Sequence, residues 1–311
     1  MRLLHSADTF NALDRYHRDW HKYTPAFQIP CAMTTETFAP SAFTRTILSH
    51  AQRSGLCQEQ LLQRAGICLS LLEGQGLRVP AHLVEQLWHE CERQGAGATF
   101  GCELVNGMAT TSLQGLNILL DSATTLRASL ACFTEFLPRV TNHVQAQLEE
   151  VDGQARLHLR AAQQLPHFFG LDAATLTLVR NIARRLGRAP GEVFLGVTLT
   201  PQQAAGEWLR SVGIEVSQGS HPRLDVPLAI LDEPLLGANP FLHQSMLRHW
   251  QTEAAQHVRS DSLELARHWL TAGDQPIERI AERLGYRQPS NFIRAFRKQF
   301  GITPKQFRLG L

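Results

Sequence analysis

Side chains that can donate hydrogen bonds to phosphates and base edges are concentrated near the carboxyl end, at Arg287, Gln288, Ser290, Asn291, Arg294, Arg297 and Lys298. Arginine and lysine pair with guanine or with phosphate oxygens, whereas asparagine and glutamine pair with adenine in the major groove. Six basic residues and no acidic one lie between residues 287 and 308. This chemistry is typical of a surface that binds double-stranded DNA.

Apolar residues around these side chains predict two helices joined by a short turn. In the first helix they recur at i, i+3, i+4 and i+7, at Ile277, Ile280, Ala281 and Leu284. We expect Gly285 to end this helix, because glycine adopts the left-handed conformation at low cost. We expect the next helix to begin at Pro289, where the missing N–H of proline leaves no hydrogen bond unmade.

The second predicted helix carries three phenylalanines, Phe292, Phe296 and Phe300, spaced by four residues. We expect them to pack inward, so that the basic side chains point outward as on a recognition helix. The residues predicted to form the structural core of this helix-turn-helix are Ile280, Ala281, Leu284, Gly285, Phe292, Phe296 and Pro304. The alternative is an ordinary amphipathic helix with a solvated basic face. The short turn and the basic bias occur together, which favours DNA binding.

This stretch resembles the second helix-turn-helix of the AraC/XylS family of bacterial transcription regulators. The family pattern is I-x-x-I-A-x-x-L-G-[FY], a polar turn, F-x-R-x-F-[KR]-x-x-x-G and T/S-P-x-x-[FY]-R. The chain matches it at Ile277, Ile280, Ala281, Leu284, Gly285, Tyr286, Phe292, Arg294, Phe296, Arg297, Gly301, Thr303, Pro304, Phe307 and Arg308. The resemblance implies a DNA-binding regulator, with Arg294 facing the groove and Arg297 and Lys298 leaning toward the DNA backbone.

The sequence departs from the family in the number of DNA-reading units. Members of the family normally carry two helix-turn-helix units joined by a long helix. The residues between Asn239 and Leu263 are too few to hold a first unit and that joining helix. Either the first unit is deleted or the two units have been fused into one, so the sequence predicts a shortened DNA-binding domain with one helix-turn-helix.

The larger part of the chain resembles the arabinose-binding-like N-terminal domain of regulators that respond to ornithine and related signals. Short motifs carry this resemblance in the family's order, at 64–66, 78–80, 100–101, Ala123 with Leu126, 231–235 and 238–240. The resemblance implies a sensory or oligomerising role without catalysis. It implies a small-molecule effector but names neither the ligand nor the residues that bind it.

The order of predicted elements indicates an α+β effector domain followed by a small all-α domain. Helical patterns run from Ser41 to residue 140, and two alternating runs then flank Asp152-Gly153, a strong hairpin signal. A long helix follows at 171–187, then a buried strand at 191–200, a helix at 201–213 and a further strand pair at 214–230. The predicted domains are an N-terminal extension at 1–32 and an effector and oligomerisation domain at 33–237. A helical linker at 238–260 and the DNA-binding domain at 261–311 follow.

Composition and charge indicate where the protein is located and which kinds of partner it binds. No run of the 311 residues approaches the roughly 18 apolar residues of a membrane span. The first residues lack the apolar core of a signal peptide, so we expect a cytoplasmic protein without a membrane partner. The net charge of +2 is uneven, because residues 246–311 hold eleven lysines and arginines against six acidic residues. A basic tail on a mildly acidic body is typical of nucleic-acid binding confined to the tail.

No enzymatic chemistry is predicted. Gly95-Ala96-Gly97 with Gly101 follows a helix and has its last glycine misplaced for a dinucleotide-binding loop. His89-Glu90 lacks the second histidine of a metalloprotease helix. The six cysteines form no CxxC pair and are expected to be buried reduced thiols, with redox sensing or metal binding as the alternatives. We expect no enzyme activity, no cofactor and no metal.

Two functions are compatible with these patterns. The first is a transcription regulator that binds promoter DNA as a homodimer, responds to a small-molecule effector and has RNA polymerase as a further partner. In this hypothesis a helical connector at 246–258 carries the change to the DNA-binding domain. The second is a ligand-binding or dimerising regulator whose degenerate DNA-binding domain acts through mixed dimers with a full-length relative.

Overall fold

The computed structural model describes residues 37–73, 78–163, 165–272, 275–284, 286 and 288–309. The predicted extension at 1–32 and the predicted roles of Gly285 and Arg287 lie outside the described residues. The chain divides into two compact units between His243 and Gln244. The predicted boundaries at 33–237, 238–260 and 261–311 stay predictions.

Helices make up most of the first unit. They are α1 (Ser41–Arg53), α2 (Gln58–Ala65), α3 (Ala81–Arg93), α4 (Phe100–Leu104), α5 (Leu116–Asp121), α6 (Leu126–Val140), α7 (Phe168–Leu186), α8 (Pro190–Val193) and α9 (Gly206–Ser211). Short 3-10 helices lie at Leu69–Leu71, Val105–Gly107, Thr110–Leu113 and Leu228–Asp232. The helices expected from Ser41 onward are therefore present, with a break after Asp121.

The strands of the first unit form two sheets. A two-stranded antiparallel sheet joins β1 (Phe38–Pro40) to β2 (Arg78–Pro80). A five-stranded sheet contains β3 (Val144–Val151), β4 (Gln154–Ala161), β5 (Gly196–Leu199), β6 (Val216–Gln218) and β7 (Arg223–Pro227). Its strand order is β3-β4-β7-β5-β6, antiparallel except for the parallel pair β5 and β6. The mixture of helices and a mostly antiparallel sheet confirms the predicted α+β class.

Three expectations between residues 191 and 230 were wrong in detail. Pro190 begins a short helical turn whose Glu192 side chain accepts from the N–H of Ala189 at 3.3 Å, so the predicted strand shrinks to β5. The predicted helix at 201–213 shrinks to α9, because the buried Asp172 carboxylate accepts from the N–H groups of Ala204 and Ala205 at 2.9 and 3.2 Å. The strands β6 and β7 do not pair with each other, since β5 lies between them.

The core of the first unit is built around helix α7 and the indole of Trp88. Phe169 at the start of α7 is fully buried, and its ring lies 6.1 Å from that of Trp88 and 5.3 Å from that of Phe100. A Cβ added at Gly101 would lie 2.2 Å from the carbonyl oxygen of Phe169, so α4 can approach α7 this closely only with glycine there. Burial of each such aromatic side chain contributes roughly 1.5–3 kcal/mol.

The regular elements described in the second unit are all helices. Helix α10 (Pro240–Ala272) begins before the boundary between the units, and α11 (Ile277–Arg283), α12 (Pro289–Phe300) and α13 (Pro304–Arg308) follow it. A single continuous helix therefore occupies residues 240–272, where a first helix-turn-helix and its joining helix would have to lie. Among the described residues the second unit contains one helix-turn-helix, formed by α11 and α12.

Membrane-spanning helices are absent from the described ranges: none of the helices there has both the length and the apolar character that a span requires.

Candidate nucleic-acid interface

Helix α12 is held by a compact core inside the second unit. The buried residues of this core are Leu263, Ala266, Leu270, Ile280, Ala281, Phe292 and Phe296. The ring of Phe296 lies 5.8 Å from that of Phe292, 4.5 Å from that of Phe300 and 5.8 Å from that of Phe307. One face of α12 is therefore fixed by aromatic packing against α10, α11 and α13.

The turn between α11 and α12 is closed by backbone hydrogen bonds. The N–H of Leu284 donates to the carbonyl of Ile280 at 3.1 Å, and that of Tyr286 donates to the carbonyl of Ala281 at 3.0 Å. The Tyr286 ring then packs edge-on against Phe292, with 5.6 Å between the ring centroids. Leu284 is partly buried against the same core. These contacts fix the direction in which α12 leaves the turn.

The far end of α12 is closed by a left-handed glycine and a capped helix. Gly301 has φ of +79° and donates its N–H to the carbonyl of Arg297 at 2.9 Å. Thr303 then caps α13: its hydroxyl accepts from the N–H of Gln306 at 3.2 Å, and the Gln306 side chain accepts from the N–H of Thr303 at 2.9 Å. Pro304, predicted as a core residue, is buried.

The polar residues predicted to contact DNA lie at the start of α12 and along one of its faces. Those that the structure describes are all exposed, namely Gln288, Ser290, Asn291, Arg294, Arg297 and Lys298. Successive residues of a helix are about 100° apart, so Arg294 lies almost opposite the middle of the buried phenylalanine face. Arg297 and Lys298 lie on either side of Arg294. The first turn of α12 has no acidic residue that would repel a phosphate.

Other basic side chains of the second unit make contacts within the unit. The Arg283 guanidinium lies 4.0 Å from the centre of the Trp269 ring and donates to Gln275 Oε1 at 3.0 Å. The Arg308 guanidinium donates to the carbonyl of Gln275. Within the described part of the chain, no acidic side chain pairs with Arg294, Arg297 or Lys298. The cations on the exposed face of α12 are therefore available to an external partner.

One exposed basic residue was missed by reasoning from the sequence. Lys305 lies on α13 with its side chain exposed. It belongs to the same acid-free stretch as the predicted contacts, and this was the signal that could have identified it. A lysine here adds positive charge beside α12 without any base-reading geometry.

One cluster in the first unit has the residue types of a metal site. His89, Glu92 and His167 offer ligand atoms within 4.8 Å of one another. His167 Nδ1 accepts from the N–H of Phe169 at 3.2 Å, so the ring proton must be on Nε2, 3.1 Å from Glu92. A cation at Nε2 would force that proton onto Nδ1, against the Phe169 N–H. His167 therefore caps helix α7 and does not offer a free nitrogen to a metal.

No disulfide joins the cysteines that the structure describes. Burial raises the pKa of Cys91 and Cys132 to about 12, and burial together with nearby Asp172 does the same for Cys102. Thiols with such pKa values are poor nucleophiles and poor metal ligands at neutral pH. Cys57 and Cys68 are exposed, so the expectation that the cysteines are buried was wrong for these two.

Comparison with known proteins gives matches over both units. A family model described as the N-terminal arabinose-binding domain of AraC transcription regulators matches residues 55–235, and a helix-turn-helix domain model matches residues 241–310. The uncharacterized HTH-type transcriptional regulator YtdP of Bacillus subtilis (strain 168) is 41% identical over 54 residues, which are 17% of this chain and 7% of that protein. The crystal structure of the transcriptional regulator CdpR from Pseudomonas aeruginosa aligns with 86% of this chain and 98% of its own, at 14% identity and a TM-score of 0.47.

Proposed function

Because the chain belongs to the AraC family of transcription regulators, we propose that it reads promoter DNA through the exposed face of α12, under the control of a small molecule bound by its first unit. The observation that supports the DNA-reading role is that α12 has one buried aromatic face and one exposed basic face. Phe292 and Phe296 are fully buried on one face, whereas Arg294 and its basic neighbours are exposed and unpaired on the other. Such a helix presents forked donors in a fixed pose, which base recognition requires.

The contacts to DNA divide into two kinds in this proposal. Arg294, with Gln288 and Asn291, reads base edges in the major groove, since these side chains form bidentate hydrogen bonds with guanine or adenine. Arg297, Lys298 and Ser290 contact phosphates, and Arg287 is assigned to the same interface from the sequence alone. Phosphate contacts set the register, whereas base contacts set the sequence preference.

Effector control follows from the domain that precedes the DNA-binding unit. A ligand that binds one state of the first unit more tightly than another shifts the population toward that state. If the two states present α12 to DNA differently, the ligand changes DNA affinity, and DNA changes ligand affinity by the same factor. RNA polymerase is the further partner that promoter regulation of this kind involves.

A homodimer is part of the proposal, because one helix-turn-helix reads only about one segment of the major groove. Two chains would supply two reading helices on half-sites about one helical turn apart, near roughly 10–10.5 base pairs. The first unit contains the long helices α6 and α7 and is the part of the chain large enough to hold such a dimer.

The single helix-turn-helix also supports a second candidate function. A chain that lacks one of the two usual DNA-reading units could instead bind a full-length relative and withdraw it from DNA. This alternative keeps the effector-binding first unit but predicts no sequence-specific DNA binding by the chain itself.

A mobility-shift experiment with fragments of genomic DNA separates the two candidates. The proposal predicts that the full chain retards a few fragments. These complexes should persist in excess unrelated DNA at physiological salt. Binding that is absent, or that disappears evenly with salt for every fragment, would favour the second candidate.

A further inference from the structure

A cavity of about 140 Å³, partly open to solvent, lies in the first unit. Helices α1, α3, α6 and α7 and the first residues of β3 surround it. Protein interiors are close-packed, and voids larger than a water molecule are few in each domain.

Helix α7 contributes mainly small side chains to the wall of the cavity. Gly170, Ala173, Ala174 and Thr177 follow one another at i, i+3, i+4 and i+7, so they form a single stripe along the helix. Large rings of the other walls do not fill the space that this stripe leaves. A larger side chain at Gly170 would crowd the Trp88 indole, because a Cβ added at Gly170 would lie 3.1 Å from Trp88 Nε1.

The wall of the cavity is almost entirely apolar. The aromatic rings of Phe43, Trp88 and Phe133 contribute to it, together with aliphatic side chains. Thr141 donates its hydroxyl to the carbonyl of Phe38 at 2.8 Å, and Thr177 donates its hydroxyl to Met108 Sδ at 3.2 Å. These two hydroxyl protons are therefore already used within the protein.

The one acidic residue among those that line the cavity, Glu85, is also engaged on both oxygens. Its Oε1 lies 2.9 Å from His143 Nε2, and its Oε2 accepts from the N–H of His167 at 2.6 Å. An anionic ligand would face this carboxylate, and a cationic ligand would meet two oxygens that each already make a hydrogen bond. A charged group entering the cavity would lose hydration that the engaged Glu85 carboxylate cannot replace, which costs several kcal/mol for buried charges in general.

We propose that this cavity is the effector site of the chain, and that its ligand is an uncharged apolar molecule about the size of one aromatic ring. The inference rests on the proposed function, in which the first unit binds an effector. The size follows from the volume, since an engineered apolar cavity of about 150 Å³ binds benzene. The absence of charge follows from the apolar wall and from the Glu85 carboxylate, each oxygen of which already makes a hydrogen bond.

Titration of the full chain with toluene and with benzoate tests the size and the charge of the ligand together. Both probes carry one aromatic ring, and ligand-observed NMR measures their binding. We expect saturable binding of toluene, and binding of benzoate at least about tenfold weaker, a difference of about 1.4 kcal/mol. Equal binding of the two probes, or no saturable binding of toluene, would overturn the inference, and this comparison needs no variant.

Two leucine variants of helix α7 test the location of the site. Ala174→Leu places three more carbon atoms in the cavity, whereas Asn181→Leu adds apolar volume on the same helix at a residue that does not line it. We expect toluene affinity to fall at least about tenfold in A174L and to stay unchanged in N181L. Unchanged affinity in a folded A174L, judged by circular dichroism, would place the bound toluene elsewhere and overturn the inference.

The DNA mobility shift on the same protein separates failure of this inference from failure of the proposed function. DNA binding that is sequence-specific, together with no toluene binding, would overturn the cavity's role alone. Saturable toluene binding that A174L removes, together with no DNA binding, would support the ligand class and overturn the proposed DNA-reading function.

Discussion

Lys298 lies on the exposed face of α12, beside Arg294, and is assigned to the DNA backbone because an ammonium group is a point charge without forked geometry. Lys298→Ala should weaken binding to all DNA sequences evenly. The slope of log affinity against log salt concentration should fall by about one, since one phosphate contact is lost. Fluorescence anisotropy on specific and unrelated duplexes at several salt concentrations measures both effects. A changed sequence preference, or an unchanged slope, would contradict the assignment.

Phe296 holds α12 in place through contacts with the rings of Phe292, Phe300 and Phe307. Phe296→Ala should lower the free energy of unfolding of the second unit by about 3–5 kcal/mol, because the residue is fully buried. A unit this small has little stability to lose, so residues 246–311 carrying the variant should lose helical circular dichroism. Glu278→Ala, on the exposed side of α11, serves as the control. A folded F296A fragment with normal DNA affinity would show that this face does not support α12.

At the scale of single residues, helical spacing predicted which side chains of α12 point inward and which point outward. It could not predict which basic residues are already used within the unit. Arg283 stacks on Trp269 and Arg308 donates to the carbonyl of Gln275, and both contacts join different elements. Local spacing does not carry this information, because it depends on how the helices pack.

The hairpin of β3 and β4 shows what the sequence can predict about an element. Asp152 and Gly153 both adopt positive φ, at 51° and 74°, as a two-residue hairpin turn requires. The turn residues and the alternation of the strands therefore agreed, and the hairpin was predicted at its observed position. Agreement between two local signals is what made this prediction succeed.

Elements set by distant contacts could not be predicted in this way. Strands β1 and β2 have three residues each and pair across about forty residues of chain. The start of α9 depends on Asp172, a side chain about thirty residues earlier, which accepts from two backbone N–H groups before that helix. The position of β5 between β6 and β7 likewise depends on the whole sheet.

The end of α12 provides a prediction at this scale. Gly301 has φ of +79°, and a Cβ added there would contact nothing within 4 Å, so the cost of a side chain is purely conformational. Gly301→Ala should destabilise the second unit by about 1–2 kcal/mol, the cost of a left-handed residue with a Cβ. Gly301→Asn should cost less, since asparagine tolerates this conformation better. Urea unfolding of residues 246–311 measures the difference. Equal stability of the alanine variant and the wild type would show that α12 does not require this cap.

At the scale of the whole molecule, the sequence predicted the family, the α+β class and the reduced number of DNA-reading units. The sequence motifs of the helix-turn-helix have fixed local spacing, so they are readable without a structure. The cavity of the first unit was not predicted, because helices and strands distant in sequence form its walls. The small residues on α7 do not indicate a cavity until the positions of the opposing aromatic rings are known.

The single helix-turn-helix leads to a prediction about fragments of the chain. One unit makes few phosphate and base contacts, too few for specific affinities near roughly 10⁻⁸ M or tighter. Residues 246–311 alone should therefore bind an operator at least about a hundredfold more weakly than the full chain, about 2.7 kcal/mol. Footprinting of the full chain should show two protected half-sites about one helical turn apart. Tight specific binding by the fragment, or a single protected half-site under the full chain, would contradict the proposed dimer.

Arg294 provides the most direct test of the central claim, that the exposed face of α12 reads DNA sequence. The measurement is a competition assay, in which the full chain chooses between a fragment selected from genomic DNA and unrelated DNA of the same length. Arg294→Ala should lose about 1–3 kcal/mol on the selected fragment and relax the preference, whereas Arg279→Ala, an exposed arginine on α11, should keep it. An R294A variant that is folded and retains the full preference of the wild type would contradict the claim.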